Sequence, residues 1–298
     1  MTAPNTEMSP LATPLARDEC ALAEPYRGFF DDAATFPPGL APLDRAIIDY
    51  VERRVNSLNE AVGPAVLKLE DLAKAQQIAS GLNLGGRPIN VSAVTPAGQL
   101  QAALEAAKDI APQLRMVAIE LKTDPSDKNI WAAQIQQAAA VSDIQVYVEL
   151  THEQVAASAL ELLAGTDLRL KYRTGGLEAH LFPTPEQLAA VLTETIAAST
   201  PFKLTAGLHE AIRYTNPVTG FTHHGFLNIA MATEAALRGE GVDRVAALLA
   251  ATESTALTNL ARASTGTWRE FFISFGTCSV AEPAESLAVL GLFPPGLG

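Results

Sequence analysis

Cysteine is nearly absent from this chain, and basic residues are scarce. Only Cys20 and Cys278 occur among 298 residues. That leaves no disulfide framework and no cysteine spacing of the kind that holds zinc, which fits a reducing, cytoplasmic location. Lysine and arginine number 21 against 33 acidic residues, a formal charge of -12. Nucleic-acid and anionic-membrane binding rely on clustered surface cations, so this balance argues against both kinds of partner. No apolar run approaches the roughly 20 residues needed to cross a bilayer. Residues 1–24 are rich in Thr, Pro, Ala and Ser and lack the basic-then-apolar order of a secretory signal, so they read as a loosely attached tail.

What the chain does have is apolar material, 48% of residues against 18% charged. That is ample for a core, and no break in composition divides residues 25–298 into two domains. Strand patterns recur near 29–31, 65–69, 89–94, 116–121, 145–150, 168–173, 201–205 and 271–275. Helix patterns lie between them, at 43–58, from Asp71, Pro96, Asp127 and His152, at 184–199, 224–237 and 242–251, and from Pro283. Thr95-Pro96, Thr184-Pro185 and Glu282-Pro283 place proline at an expected first helical position, the first two behind a capping threonine. Strict alternation over eight strands predicts a single-domain (β/α)8 TIM-type barrel. The strand at 29–31 is the weakest element; without it, a doubly wound sheet of seven strands becomes the better expectation.

In such a barrel the chemistry lies at the carboxyl ends of the strands. Read in order, those ends carry Asp31 or Asp32, Glu70, Ser92, Glu120, Glu149, Lys171 with Arg173, Lys203 with Thr205, and Ser274. Period-2 alternation turns Lys171 and Arg173 to one face of their strand, and Lys203 and Thr205 to one face of theirs. The helix between these strands has the length of a parallel crossover, so the two lysines are expected side by side. Charges facing inward need partners or a purpose. A lysine beside a second cation in a water-poor cavity has its pKa lowered, and such an amine can attack a carbonyl to form a Schiff base, with Glu120 or Glu149 relaying protons.

Three strand-end motifs stand in order: Lys171-Tyr172-Arg173-Thr174-Gly175-Gly176, Lys203-Leu204-Thr205-Ala206-Gly207, and Phe275-Gly276-Thr277-Cys278-Ser279. Their order resembles deoxyribose-phosphate aldolase and its class I relatives, whose sixth strand carries K-T-S-T-G, whose seventh carries a lysine before A-G-G, and whose eighth ends in F-G-A-S-S. The resemblance implies a cofactor-free, metal-free lyase in which Lys171 forms the Schiff base and Lys203 lowers its pKa. It also implies that Gly175, Gly207, Gly276 and Ser279 cradle the anionic group of a small carbonyl substrate, with Gly176, Thr174, Thr205, His209, Thr277 and Cys278 beside them and Arg173 as a charge clamp. The sequence departs from that pattern at Arg173, at Cys278 and at Leu208-His209. The same motifs, with Pro201 to His209 and His224-Gly225-Phe226-Leu227-Asn228, more closely resemble a bacterial family of similar length with no activity attached to it. That resemblance adds His224 and Asn228 as possible site residues and loosens the substrate from deoxyribose phosphate. A homodimer is compatible with either.

Two other classes remain open. A metal-dependent barrel enzyme, an isomerase or hydrolase, would draw ligands from His209, His223, His224, Glu120 and Glu149, although no compact ligand motif is present. A non-catalytic binding protein for an anionic metabolite would use Arg173, Lys171 and Lys203 as a clamp.

Overall fold

The structure is a computed structural model that describes residues 22–294. The described residues form ten strands: β1 (Phe30–Asp32), β2 (Val62–Lys68), β3 (Ile89–Thr95), β4 (Leu114–Lys122), β5 (Gln145–Leu150), β6 (Arg169–Arg173), β7 (Phe202–Thr205), β8 (Tyr214–Thr215), β9 (Thr222–His223) and β10 (Phe272–Thr277). All but β8 and β9 close into one barrel in the order β1-β10-β7-β6-β5-β4-β3-β2, every neighbouring pair parallel. The chain is therefore an α/β protein with a (β/α)8 TIM-type barrel, and the weakly patterned first strand is the one that completes it.

The surrounding helices are α1 (Leu43–Glu52), α2 (Leu72–Ser80), α3 (Leu100–Asp109), α4 (Lys128–Ala139), α5 (His152–Ala156), α6 (Pro185–Ala197), α7 (Phe226–Leu237), α8 (Val242–Ala250), α9 (Ser254–Ala263) and α10 (Ala281–Val289). Local chemistry fixes several starts. Thr184 and Gln187 form a reciprocal capping box ahead of α6, with Pro185 at its first position, and Thr151 and Gln154 do the same for α5; each box satisfies two amides a helix start otherwise leaves open. Helix α7 is apolar on nearly all sides and buried along almost its whole length, the signature of a helix enclosed by other elements. Phe226 on α7 stacks on Phe275 and meets Phe29 and Phe30 edge-on, so the outer faces of β1 and β10 are sealed by rings.

Several boundaries differ from the sequence expectation. Pro96 to Gln99 form a turn, closed by Gln99 N–H donating to Pro96 O, and α3 starts only at Leu100. Thr95 accordingly caps nothing and turns its hydroxyl to Ala93 O at 3.1 Å. Helix α10 begins at Ala281, ahead of Pro283. The last strand runs through Gly276 to Thr277 because it pairs with β1 over that stretch. The β8–β9 hairpin and α9 had no expected counterpart. Residues 1–21, most of the expected tail, lie outside the described residues; Leu22, by contrast, is buried in the core, and Tyr26 packs on Phe29 and Trp268. No described helix is long and apolar enough to cross a membrane.

Register places the chemistry. Glu149 lies opposite Lys171, Lys171 opposite Lys203, and Lys203 opposite Ser274. The intervening Leu170, Tyr172, Leu204 and Phe275 are buried in the main hydrophobic core, and the polar set points into the barrel, as period-2 alternation requires.

Candidate functional site

The barrel interior holds a layer of charges bonded to one another. Lys203 Nζ donates to Asp31 Oδ2 at 2.5 Å and to Glu120 Oε1 at 2.6 Å. Lys171 Nζ lies 2.8 Å from Glu120 Oε2 and 2.8 Å from Glu149 Oε2. Glu120 thus bridges the two lysines, one oxygen to each. Ser92 Oγ donates to Glu120 Oε1 at 2.7 Å and Ser274 Oγ to Asp31 Oδ2 at 2.7 Å. Beneath Lys203, the Tyr147 ring centroid is 5.2 Å from Nζ, a cation–π contact. The sequence Asp31, Lys203, Glu120, Lys171, Glu149 is an alternating chain, and Arg173 Nη2 continues it, 3.7 Å from Glu149 Oε1.

Burial pushes a carboxylate up and an ammonium down, so each group's balance depends on its neighbours. For Glu120, burial is outweighed by Lys171 and Lys203, and its pKa falls below the carboxylate range. Glu149 is likewise lowered, Lys171 and then Arg173 overcoming its burial. Asp31 goes the other way: burial exceeds what Lys203 and Ser274 return, and its pKa rises. Both lysines are raised, because Glu120 with Glu149 at Lys171, and Asp31 with Glu120 at Lys203, outweigh desolvation. The expected lowering of Lys171 by its neighbour is therefore corrected. The lysines are indeed in register, but a carboxylate stands between their ammonium groups, and opposite charge replaces like charge.

The glycine turns beyond β6 and β7 meet back to back. A side chain on Gly175 would come within 2.9 Å of the Gly207 Cα, and Gly207 has φ +81°, a conformation that suits glycine. Thr174 is fully buried and ties the turns together, its N–H donating to Thr205 O at 2.9 Å and its hydroxyl to Ala206 O at 2.8 Å, so its polar groups are spent on backbone. Gly176 packs against Leu181. Thr205 and Gly276 are ladder partners, so Gly276 lies within a strand, not in the expected turn. Thr277 is buried, and its hydroxyl both accepts from Ser279 N–H at 3.3 Å and donates to Ser279 O at 2.9 Å. The Ser279 amide expected in an anion cradle is thus already engaged. Half-buried Cys278 packs beside Gly39, and burial raises its thiol pKa, which does not favour a thiolate. His209 Nδ1 is 2.7 Å from Glu282 Oε2, next to the His223 ring, whose Nδ1 donates to Gly207 O at 2.8 Å.

Other expected residues sit elsewhere. Glu70 is exposed in a short turn after β2, 3.6 Å from Lys68, and does not enter the barrel. Asp32 turns away from Asp31 to pair with Arg53 at 2.7 Å. His224 and Asn228 are structural: His224 Nε2–H donates to Pro183 O at 2.8 Å, leaving Nδ1 to accept from Arg213 Nη1 at 3.2 Å. Asn228 accepts the Arg213 amide at 2.9 Å and donates to the carbonyls of Leu248 and Ala251. Both pin α7 to its surroundings. Among the described residues no three His, Cys, Asp or Glu side chains converge as a metal ion would require; between the barrel acids stand the two lysine ammonium groups.

Three contributors were missed as site residues. Tyr147 faced inward by alternation, but nothing marked it as a platform for Lys203. Arg53 carries no local signal. Gly63 does: a glycine inside a strand points to a bulge or a close approach, and here the β1–β2 register slips while Asp31 Oδ1 occupies the space a side chain would need.

Neither a protein-family model nor a curated protein matches the chain, so what it does is argued from this geometry.

Proposed function

We propose that the chain is a Schiff-base lyase of the aldolase type, acting on a small carbonyl compound that bears a phosphate or carboxylate. The observation that carries the reading is the pair of buried, in-register lysines inside the barrel, Lys171 midway along β6 and Lys203 near the start of β7, bridged by Glu120. Burying two ammonium groups is costly and a folding role alone is better served by apolar residues of similar volume. The order of the strand-end motifs, which resembles class I aldolases, points the same way.

Lys171 is the nucleophile in this reading. Lys203 is held by two aligned hydrogen bonds over the Tyr147 ring, whereas Lys171 rests between two carboxylates, one of which, Glu149, is 14% exposed and adjoins the half-open Arg173. The Lys171 amine attacks the carbonyl carbon. Glu149 or Glu120 returns to the carbinolamine oxygen the proton that the Lys171 ammonium gave up, so that the oxygen leaves as water; the resulting iminium takes up the electron pair of the cleaving carbon–carbon bond as an enamine, while the carboxylate takes the hydroxyl proton of the fragment that departs as an aldehyde. Arg173 binds the substrate anion at the mouth. A wall of Ala33, Val66 and Val94 with Phe36 offers an apolar side across the barrel.

Trapping with cyanoborohydride and a panel of small aldehydes and keto acids, read by intact mass and peptide mapping, tests this. A single reduced adduct on Lys171, absent in Lys171→Ala, is expected. A turnover substrate that leaves neither lysine modified overturns it. Activity lost on exhaustive chelation and restored by one divalent ion would move the assignment to a metal enzyme. A second reading, a binding protein for an anionic metabolite, draws on the full pairing of the charged layer and predicts saturable anion binding with no adduct from any carbonyl compound.

A further inference from the structure

The alternating chain of charges has two unlike ends. At the mouth it ends in Glu149 and Arg173; within the barrel wall it ends in Asp31. Asp31 Oδ2 is fully engaged by Lys203 and Ser274. Its Oδ1 is buried without a hydrogen-bond partner among the described residues, set against the Gly63 backbone where no side chain could fit. Of the three carboxylates in the layer it faces one lysine alone, whereas Glu120 faces two and Glu149 faces Lys171 and Arg173. A proton moving within the layer therefore settles on Asp31 at the lowest electrostatic cost. The upward shift of Asp31, against the downward shifts of Glu120 and Glu149, agrees with that ranking.

We infer that Asp31 accepts the proton Lys171 must lose before its amine can attack a carbonyl. This rests on the Schiff-base reading and deepens it. The transfer conserves atoms and charge. Lys203 gives a proton to Asp31 Oδ2, which becomes a neutral acid. Lys171 gives a proton to Glu120 Oε2, and rotation of that carboxyl group presents the O–H to the freed lone pair of Lys203. The net change is a neutral Lys171 and a neutral Asp31, with Lys203 and Glu120 as they began. Asp31 touches neither the substrate nor Lys171, so it is a positioning residue acting through two others. The other titratable groups around it are Tyr50 of α1, whose hydroxyl donates to Gly63 O at 2.9 Å and whose pKa burial raises to about 12; Arg269, just before β10; and the Asp32–Arg53 pair.

An internal transfer has a signature that a supporting role lacks. The reactive state has the same number of protons as the resting state, so its population does not follow bulk pH. Cyanoborohydride trapping with acetaldehyde and with pyruvate, followed from pH 6 to pH 8.5, is expected to give a Lys171 adduct at a rate nearly independent of pH. In Asp31→Asn the proton must leave to solvent, and the rate is expected to rise about tenfold per pH unit. Ser274→Ala removes a donor to the carboxylate and is expected to keep the flat profile while raising its level severalfold. A wild-type rate rising tenfold per unit, or an Asp31→Asn profile as flat as the wild type, overturns the inference while leaving the Schiff base intact. If Asp31→Asn does not fold, an unchanged or lowered level in Ser274→Ala overturns it. A wild-type protein that no carbonyl probe modifies overturns the Schiff-base reading, and this inference with it.

Discussion

The two lysines of the barrel differ in how they are held. Lys203 makes two short, aligned hydrogen bonds, lies over an aromatic ring, and has partners that are themselves tied by Ser92 and Ser274. Lys171 touches two carboxylates as ion pairs; Glu149 Oε2 has no hydrogen bond among the described residues, and beyond it the layer opens past Arg173, whose side chain is 38% exposed. One half is sealed and the other gives onto the mouth. The difference shows how a barrel can bury two charges a strand apart, one fixed in its wall and the other beside its half-open rim. Glu120 stands between the halves, one oxygen to each lysine.

The sharpest way to break this comparison is to remove each lysine in turn. Lys203→Met leaves Asp31 and Glu120 short of a buried cation, a loss of about 3–5 kcal/mol. Lys171→Met is expected to cost less, about 1–3 kcal/mol, since Glu149 is close to solvent and to Arg173. Urea melts at neutral pH measure both. Equal losses would mean that the two halves are equally sealed.

A histidine outside the layer separates acid sensitivity from the lysine sites. His224 is fully buried, and burial lowers its pKa to about 4, with Arg213 adding to the effect against the hydrogen bond to Pro183. Between its unfolded value near 6.5 and about 4, the unfolded chain takes a proton that the fold refuses, so stability falls as pH falls, by about 3 kcal/mol across that window. Glu120 and Glu149 contribute in a lower window. Their folded pKa values are depressed, so their contribution is intact above the unfolded value of about 4.3 and is lost only as pH falls through the folded values. The slope of stability between pH 6.5 and 4.5 should therefore flatten in His224→Gln and persist in Glu149→Gln. The reverse result would place the acid-sensitive point in the charged layer.

A smaller effect is expected at Gly63. In Gly63→Ala the methyl group displaces the Asp31 carboxylate from its seat, at a cost of about 1–3 kcal/mol. Because Asp31 belongs to the sealed half, the variant should also raise the mobility of Lys203 while leaving Lys171 paired. Side-chain ammonium NMR signals at low temperature would report the two separately, and equal broadening of both would count against independent halves.

How much of this was legible in the sequence depended on whether a feature is local. Alternation along β6 and β7, plus a crossover of helical length, was enough to place Lys171 and Lys203 side by side, since register between adjacent parallel strands follows from pattern and connection. The inward turn of Glu120 and Glu149 followed from the same period. Glu70 failed because β2 ends at Lys68 and the chain has already left the barrel when it reaches the glutamate. The charge state of Lys171 failed for a different reason. A sequence shows that two cations are neighbours and cannot show a carboxylate inserted between their tips from a strand two positions away in the barrel. His224 and Asn228 entered as possible site residues through the motif His224-Gly225-Phe226-Leu227-Asn228, yet they satisfy polar groups around a helix that is buried along almost its whole length.

The mildest prediction concerns Arg173, where the open half meets solvent. Its guanidinium is 3.7 Å from Glu149 and bonded to Gly175 O at 3.3 Å, so Arg173→Ala should change stability by less than about 1 kcal/mol, as for other exposed pairs. Under the proposed function its effect falls on anion recognition. Loss of one charge-assisted contact weakens binding of an anionic carbonyl compound about tenfold and leaves an uncharged analogue of the same size unaffected. Added salt should erode the wild-type preference for the anion, because a half-open charge is screened over about 10 Å at 0.1 M, and should do little to the variant. Removing Arg173 also takes a cation away from Glu149, which leaves that carboxylate freer to hold Lys171 as an ammonium. The variant should therefore trap even the uncharged probe somewhat more slowly. If anionic and neutral probes lose affinity equally, Arg173 supports the loop and the mouth of the barrel recognises its ligand by other groups.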